Sequence, residues 1–333
     1  MASPCTGALL IMAKQTDTRQ ALLAGQPQPA VGIPVAPAAQ VMARNWQEVM
    51  ASTPGLLLRE RISLMQFLCG ACEKRTSYAV GAYPMQDGAD VHVHLDDTAF
   101  LTSLNTQGLF EIREDSTCLC RYCCHQHREL RLGFFAPRSQ VGVDPIDAEM
   151  QGGFGGLGWP EGEVPMLTLL RPFKCTINCC CCLFQPQEMN VVDTAANAPL
   201  GGTTCDWSCC LSLRPLCCVP VLRYNVRDAT DKTEFQVHVP GCFAHDCVNC
   251  CAPCCCNPVC VMPITAPGDG TEIGSIQSHW PGCNMRGIGC AGNANNNYAV
   301  VWPPQATPEQ KARILSAVHL IDLNLFERRG NQK

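Results

Sequence analysis

Charge is scarce in this chain: charged residues make up 16% of its 333 positions, and the formal net charge is −5. The lack of a basic excess removes the electrostatic footprint of a nucleic-acid binder. Long apolar runs are missing as well. A spanning helix needs about 20 mostly apolar residues. The best stretch, 314–326, is shorter and contains His319, Asp322 and Asn324. Residues 242–262 are interrupted by Asp246, Pro253 and Pro258. Signal-peptide shape is absent too, since the apolar stretch 7–13 is short and no basic region precedes it. The 27 cysteines are therefore expected to be reduced thiols of an intracellular chain, not the bridges of a secreted scaffold. A catalytic constellation is also lacking. His279 beside Trp280 has no matching nucleophile and orienting acid, and reads as a satisfied strand histidine. A soluble enzyme is thus a distant third reading.

Hydrophobic residues make up 47% of the chain, enough for a sizeable core. Residues 1–55 are rich in Ala, Pro and Gln and too poor in large apolar side chains to pack, so they read as a disordered N-terminal segment. That segment is a candidate region for protein partners. Trp46 stands alone in it, as either a docking contact or the ordered edge of the domain that follows. Residues 56–330 form that domain, where short apolar runs alternate with Gly, Pro and Asx punctuation, the texture of many short strands. Ten strands are expected: 61–67, 77–83, 110–113, 129–135, 166–170, 188–192, 221–226, 234–239, 274–277 and 298–301. Phe235, Val237 and Val239 alternate with polar neighbours, the period of a half-buried strand. Residues 144–165, with Gly152, Gly153, Gly155 and Gly156, read as a flexible insertion.

A helix closes the chain. Thr307, Pro308 and Gln310 give an N-cap, a first-turn proline and a capping-box partner. Ile314, Leu315, Val318, Ile321, Leu325 and Phe326 recur at helical spacing, while Ala312, Ala317, Leu320 and Leu323 fill much of the remaining circumference. A helix apolar nearly all round is buried on every side. Too short for a bilayer, it is expected to thread a sheet closed around it. Asp322 on that helix then needs a partner, and a hydrogen bond to barrel backbone is favoured over proton or lipid-headgroup chemistry.

The cysteines are clustered. The run Cys179, Cys180, Cys181 and Cys182 cannot bridge internally without strain, and beside apolar and basic residues it suits S-acylation by palmitate. Acyl chains add about 0.8 kcal/mol per buried CH₂, and two chains give stable anchoring. Buried thiols acting as small hydrophobes, or metal ligands, are the other readings. Two further groups have zinc-like spacing: Cys118, Cys120, Cys123 and Cys124, and Cys247, Cys250, Cys251 and Cys254. Their pairs overlap, so plain thiols compete with zinc there.

Four segments, in order, carry a resemblance. They are Leu-Arg-Pro-Phe-Lys-Cys through the cysteine run to Gln187-Glu188-Met189; Glu114-Asp115 with Cys118, Cys120, Cys123, Cys124 and Leu130-Arg131-Leu132; Gly274-Ser275-Ile276-Gln277-Ser278-His279-Trp280; and His319-Leu320-Ile321-Asp322-Leu323-Asn324-Leu325-Phe326-Glu327. Over residues 56–328 the chain resembles the phospholipid scramblase family. The resemblance implies a mainly β, Tubby-like fold: a closed antiparallel β-barrel wrapped around one buried hydrophobic C-terminal helix. It implies ATP-independent movement of phospholipids between leaflets, membrane phospholipids as partners, and attachment to the cytoplasmic face of a membrane, expected to be the plasma membrane. A membrane-tethered lipid- or protein-binding module without transport is the alternative. The family's acidic calcium segment corresponds here to residues 294–305, where its three acidic places hold Ala294, Asn296 and Gln305. Calcium affinity follows ligand charge, and Asn293, Asn295, Asn296, Asn297 and Gln305 supply amide oxygens only. Calcium control is therefore doubtful, and residues 293–297 read as an ordinary turn or surface loop in preference to a calcium site.

Overall fold

The computed structural model describes residues 45–61, 75–84, 93–117, 128–137, 158–174, 186–206, 222–239, 253, 255–268, 270–284 and 297–326. All fall in the second of two compact units, Arg44–Lys333. Twelve strands follow in chain order: β1 (Gly55–Glu60), β2 (Ser77–Ala82), β3 (Gly108–Asp115), β4 (Leu130–Phe135), β5 (Leu167–Arg171), β6 (Glu188–Asp193), β7 (Ala198–Asp206), β8 (Leu222–Arg227), β9 (Thr233–Val239), β10 (Val259–Thr265), β11 (Glu272–His279) and β12 (Asn297–Val301). Each pairs with its chain neighbours, and β12 returns to β1 through the register Gly55↔Val301 to Arg59↔Asn297. The result is a closed antiparallel barrel with no free sheet edge.

Twelve strands form where ten were expected. In β7, Pro199, Gly201 and Gly202 read locally as a turn. The strand needs those glycines: Gly201 sits at φ +107°, and a Cβ on it would lie 2.2 Å from the Arg227 carbonyl oxygen. It marks a bulge opposite Val191 and Val192. The second missed strand, β10, lies at the edge of a Cys- and Pro-rich stretch and contains Pro263. Proline is tolerated where one side of a strand is unpaired, and β10 meets β9 only at Ile264↔Val237 and Thr265↔Gln236. Strand β1 occupies the Leu-rich run before the strand expected at 61–67, of which 62–67 lie outside the described residues.

Helix α1 (Trp46–Ser52) falls within the segment expected to be unpacked. Asn45 caps it by accepting from the Gln47 N–H, and Trp46, Val49 and Met50 are buried. The Trp46 indole donates to Asp193 Oδ2 at 3.2 Å, which makes it part of the domain edge. Lys311 Nζ donates to the Met50 and Thr53 carbonyls at 2.6 and 2.9 Å, capping α1. Helix α2 (Asp97–Gln107) was not visible in the sequence, because only Asp97 and Phe100 are buried and no apolar period marks it. It packs outside the barrel, where Leu57, Tyr83, Phe100 and Ala299 form a second, smaller core. Of the expected insertion, residues 158–165 are described. Trp159 lies against Phe135, with ring centroids 5.7 Å apart, and its indole donates to the Arg113 carbonyl at 2.9 Å.

The main core is the barrel interior. Helix α3 (Pro308–Ile321) begins with the capping box of Thr307 and Gln310. It passes into a π-helical segment, Asp322–Phe326. Every residue from Lys311 to Phe326 is buried, surrounded by inward side chains such as Leu58, Ile112, Leu169, Val191, Val237 and Ile276.

Candidate functional site: a polar layer inside the barrel

A purely apolar core would leave the rotation and depth of α3 weakly defined. Polar groups near its C-terminal end define both. The hydroxyl of Tyr78 on β2 donates to Asp322 Oδ2, and that of Tyr298 on β12 donates to Asp322 Oδ1 at 2.7 Å. Burial first, and then the Asp322 carboxylate, push both phenols well above their usual pKa, so both remain hydrogen-bond donors. The expected partner of Asp322 was barrel backbone; the structure supplies two phenols instead. These reach the lumen because Tyr78 and Tyr298 occupy inward positions flanking β1.

A second set lies beside it. Arg171, the last residue of β5, is buried and donates from Nη2 to Gln187 Oε1 at 2.8 Å and Asn324 Oδ1 at 3.1 Å. The Asn324 amide donates in turn to the Tyr224 hydroxyl at 3.4 Å. Widening of the backbone into a π turn is common where a helix must aim side chains at a site, and here both Asp322 and Asn324 belong to that turn. His319, one turn earlier, packs edge-on to Tyr78 at 4.9 Å and Phe134 at 6.3 Å between centroids. Burial holds its imidazole down at about 3, and its Nε2 finds no partner among the described residues. Deeper in the lumen, Thr203 and Ser316 hydroxyls are 2.8 Å apart.

Below the β3–β4 connection, Glu114 accepts from Arg128 Nε at 2.9 Å, from the Ser116 hydroxyl at 2.5 Å and from the Thr76 N–H at 2.8 Å. Burial alone would raise this carboxyl. The Arg128 guanidinium overrides it, with help from Ser116 and Thr76, and holds Glu114 at about 2.

Among the other candidates, His279 is buried on the outer wall of β11. Its Nδ1 accepts the Leu95 N–H at 3.1 Å, and Phe100 and His94 flank the ring. Burial, then His94, lower it to about 3. This contact pins the approach to α2 and supplies no base. Asn297 is fully buried at the start of β12, and its amide donates to Asp97 Oδ1 at 3.2 Å, a carboxylate already held by Arg59 at 2.8 and 2.9 Å. Gln305 is exposed beyond the other end of β12, so the strand keeps the two amides about 13 Å or more apart. Asn293, Asn295 and Asn296 lie outside the described residues. So do Cys179, Cys180, Cys181, Cys182 and both groups of candidate zinc cysteines. Among the described residues, no three His, Cys, Asp or Glu side chains converge on a metal position.

Arg171 sits in the segment Leu170-Arg171-Pro172-Phe173-Lys174-Cys175, where its arginine-proline pair is the available signal. Tyr78, Tyr224 and Tyr298 carried none, because a strand tyrosine looks the same whether its hydroxyl meets water or a buried carboxylate.

The scramblase family model matches residues 161–328, from just before β5 to just past the π turn. The chain belongs to the phospholipid scramblase family. It is 23% identical to human phospholipid scramblase 1 over 254 residues, covering 73% of this chain and 64% of that protein. Against human phospholipid scramblase 2 the identity is 22% over 249 residues, covering 72% and 67%. Mouse phospholipid scramblase 1 is 24% identical over 256 residues, covering 73% and 62%. The match thus spans a little under two thirds of the first relative's length. No solved structure matches. The family segment contains Arg171, Gln187, Tyr224, Tyr298, Asp322 and Asn324, so most of the polar layer falls inside it.

Proposed function

We propose that this chain moves phospholipids between membrane leaflets without ATP, as a translocator with no covalent chemistry, and that acylation of Cys179, Cys180, Cys181 and Cys182 attaches it to the cytoplasmic face of the plasma membrane. Membership of the scramblase family carries the reading. Reconstituted protein should accelerate exchange of fluorescent phosphatidylcholine and phosphatidylserine between leaflets of vesicles lacking nucleotide; exchange no faster than in empty vesicles would end it. None of the described helices is long and apolar enough to cross a membrane. Four Cys→Ser substitutions at the run should accordingly move the protein from the carbonate-resistant fraction to the supernatant. An unchanged distribution would reject acylation as the anchor.

A second reading has a specific observation behind it. Among the described residues the lumen is filled by α3 and its polar layer, which leaves no channel for a headgroup there. A membrane-tethered module that binds lipid or protein fits that geometry without transport, and headgroup affinity without lipid exchange is its signature. On either reading calcium is expected to bind weakly. Asn297 is spent on Asp97, and residues 294–305 contain no carboxylate to raise affinity. Calorimetry should show binding no tighter than about millimolar; micromolar binding lost on deleting residues 295–297 would restore calcium gating.

A further inference from the structure

The joints of the barrel are unequal. Among the described residues, β9 and β10 share two register pairs, Ile264↔Val237 and Thr265↔Gln236, whereas β5 and β6 share four and β10 and β11 seven. Val239 and Met262 belong to these two strands but fall outside that register. Prolines account for the gap. The Trp280 N–H donates to the Pro258 carbonyl at 2.8 Å, and hydrogen-bonded pairs alternate along an antiparallel ladder. The backbone groups of Cys260 and Met262 therefore turn towards β11, and those of Val259, Val261 and Pro263 towards β9. Pro263 has no N–H to give there, and Pro240, next in sequence after β9, has none either.

Side chains clasp the seam where the ladder stops. The Thr265 hydroxyl donates to the Gln236 carbonyl at 3.3 Å, and so accepts from His238 Nε2 at 2.9 Å. Both bonds cross between β10 and β9. Outside the seam, Val259, Val261 and Pro263 form a half-buried apolar strip along β10. Inside it, Val239, Met262 and Ile264 belong to the main core. Helix α3 runs closest to β6, β7 and β8. On the seam side the lumen is therefore filled by side chains such as Met262, whose unbranched thioether repacks readily. Arg223 stands beside the seam on β8, with His238 as its register partner on β9 and Asp206 on β7. It is half-buried and forms no ion pair among the described residues.

We propose that the seam between β9 and β10 is the entry for one acyl chain of a membrane glycerophospholipid, with the lipid phosphate on Arg223, the chain over Val261 and Pro263, and its end beside Met262. The occupant follows from an unpaired cation set next to an apolar strip. A guanidinium holds a phosphate oxyanion through its fork of N–H donors, and an acyl chain gains by leaving water. Adjacent strands lie about 4.8 Å apart, so Arg223 on β8 is within a headgroup's reach of the seam. Only the chain enters, and the filled lumen, which has no channel for a headgroup, does not oppose it. The inference rests on the membrane reading above and names the place where lipid meets the fold, which lipid exchange by itself does not require.

The full-length protein should be incubated with vesicles of phosphatidylcholine and phosphatidylserine that carry either a phosphatidylcholine or a diacylglycerol with a diazirine in one acyl chain. After irradiation, adducts are mapped by mass spectrometry. Both lipids should label Val239 and Met262 inside the seam and Val261 outside it, and leave β4, on the far wall of the barrel, unlabelled. Arg223→Gln should lower the phosphatidylcholine adducts several-fold and spare those of the diacylglycerol, which has no phosphate. Pro263→Val returns an N–H that faces β9; it should slow amide exchange at the seam and cut the Met262 adducts several-fold. Thr265→Val removes the clasp and should raise them. A parental melting transition shows that each variant is folded. No adducts at the seam, equal labelling of β4, or Met262 labelling that neither seam variant changes would overturn the entry. Loss of both lipids, or of neither, in Arg223→Gln would reject the phosphate contact. Lipid exchange with an unlabelled seam would leave the transport reading standing without this path. Seam labelling without exchange would keep the path and remove transport.

Discussion

Ile321→Asp should abolish the folded barrel. Ile321 has no exposed surface and closes the last α-helical turn of α3, surrounded on all sides by the barrel. The substitution removes a large apolar side chain and puts a carboxylate into the apolar cluster that fills the lumen. The adjoining phenols of Tyr78 and Tyr298 are committed to Asp322. An uncompensated buried charge costs several kcal/mol, typically 3–5 or more, against a total stability of about 5–15 kcal/mol for a domain. Ile321→Val is the control that separates charge from volume, since it should cost only about 1 kcal/mol. The checks are soluble yield and the melting transition. A soluble Ile321→Asp protein melting as cooperatively and as high as the parent would show that the helix is not the core.

The contrast between α3 and α2 shows what the sequence could convey. α3 announces itself three times: by its capping box, by apolar residues around its whole circumference, and by a length too short for a bilayer. Together those features require a closed sheet around it, and the barrel follows. α2 has one buried apolar residue, so its position depends on Arg59, Asn297 and His279, which meet it from strands far away in the chain. β7 was hidden for a related reason. Its glycines look like a turn until β6 and β8 close on both sides and leave no room for a side chain. The polar layer was half legible. Asp322 had to have a partner, because burial demands one, but which group would serve depended on the inward register of Tyr78 and Tyr298. Register is a property of the closed sheet, and no local pattern encodes it.

Two buried histidines, one in the lumen and one on the outer wall of β11, predict an unusual sensitivity to mild acid. His319 and His279 are both held at about 3, whereas in the unfolded chain each has a pKa of about 6.5. The native state therefore keeps both imidazoles neutral while the unfolded state takes up protons as soon as pH drops below about 6.5. The sign follows: each contribution is intact above that pH and is lost progressively down to about 3, at about 1.4 kcal/mol per pH unit. Glu114 acts in a lower window. Its pKa is about 2 in the fold against an ordinary value of 4.5, so its stabilisation is present above about 4.5 and lost towards 2. Between pH 6.5 and 4.5 the two histidines thus act without it, and by pH 5 they should remove about 4 kcal/mol together. Urea denaturation at intervals from pH 8 to pH 5 measures the slope. His319→Leu separates the two residues. It replaces an imidazole whose Nε2 lacks a described partner with a side chain suited to the Tyr78 and Phe134 rings. Stability at pH 8 should change little, and the acid slope should fall by about half, leaving the share of His279. A slope unchanged by His319→Leu would mean that the imidazole is protonated or water-exposed in the native state, and that α3 does not sit in a dry lumen.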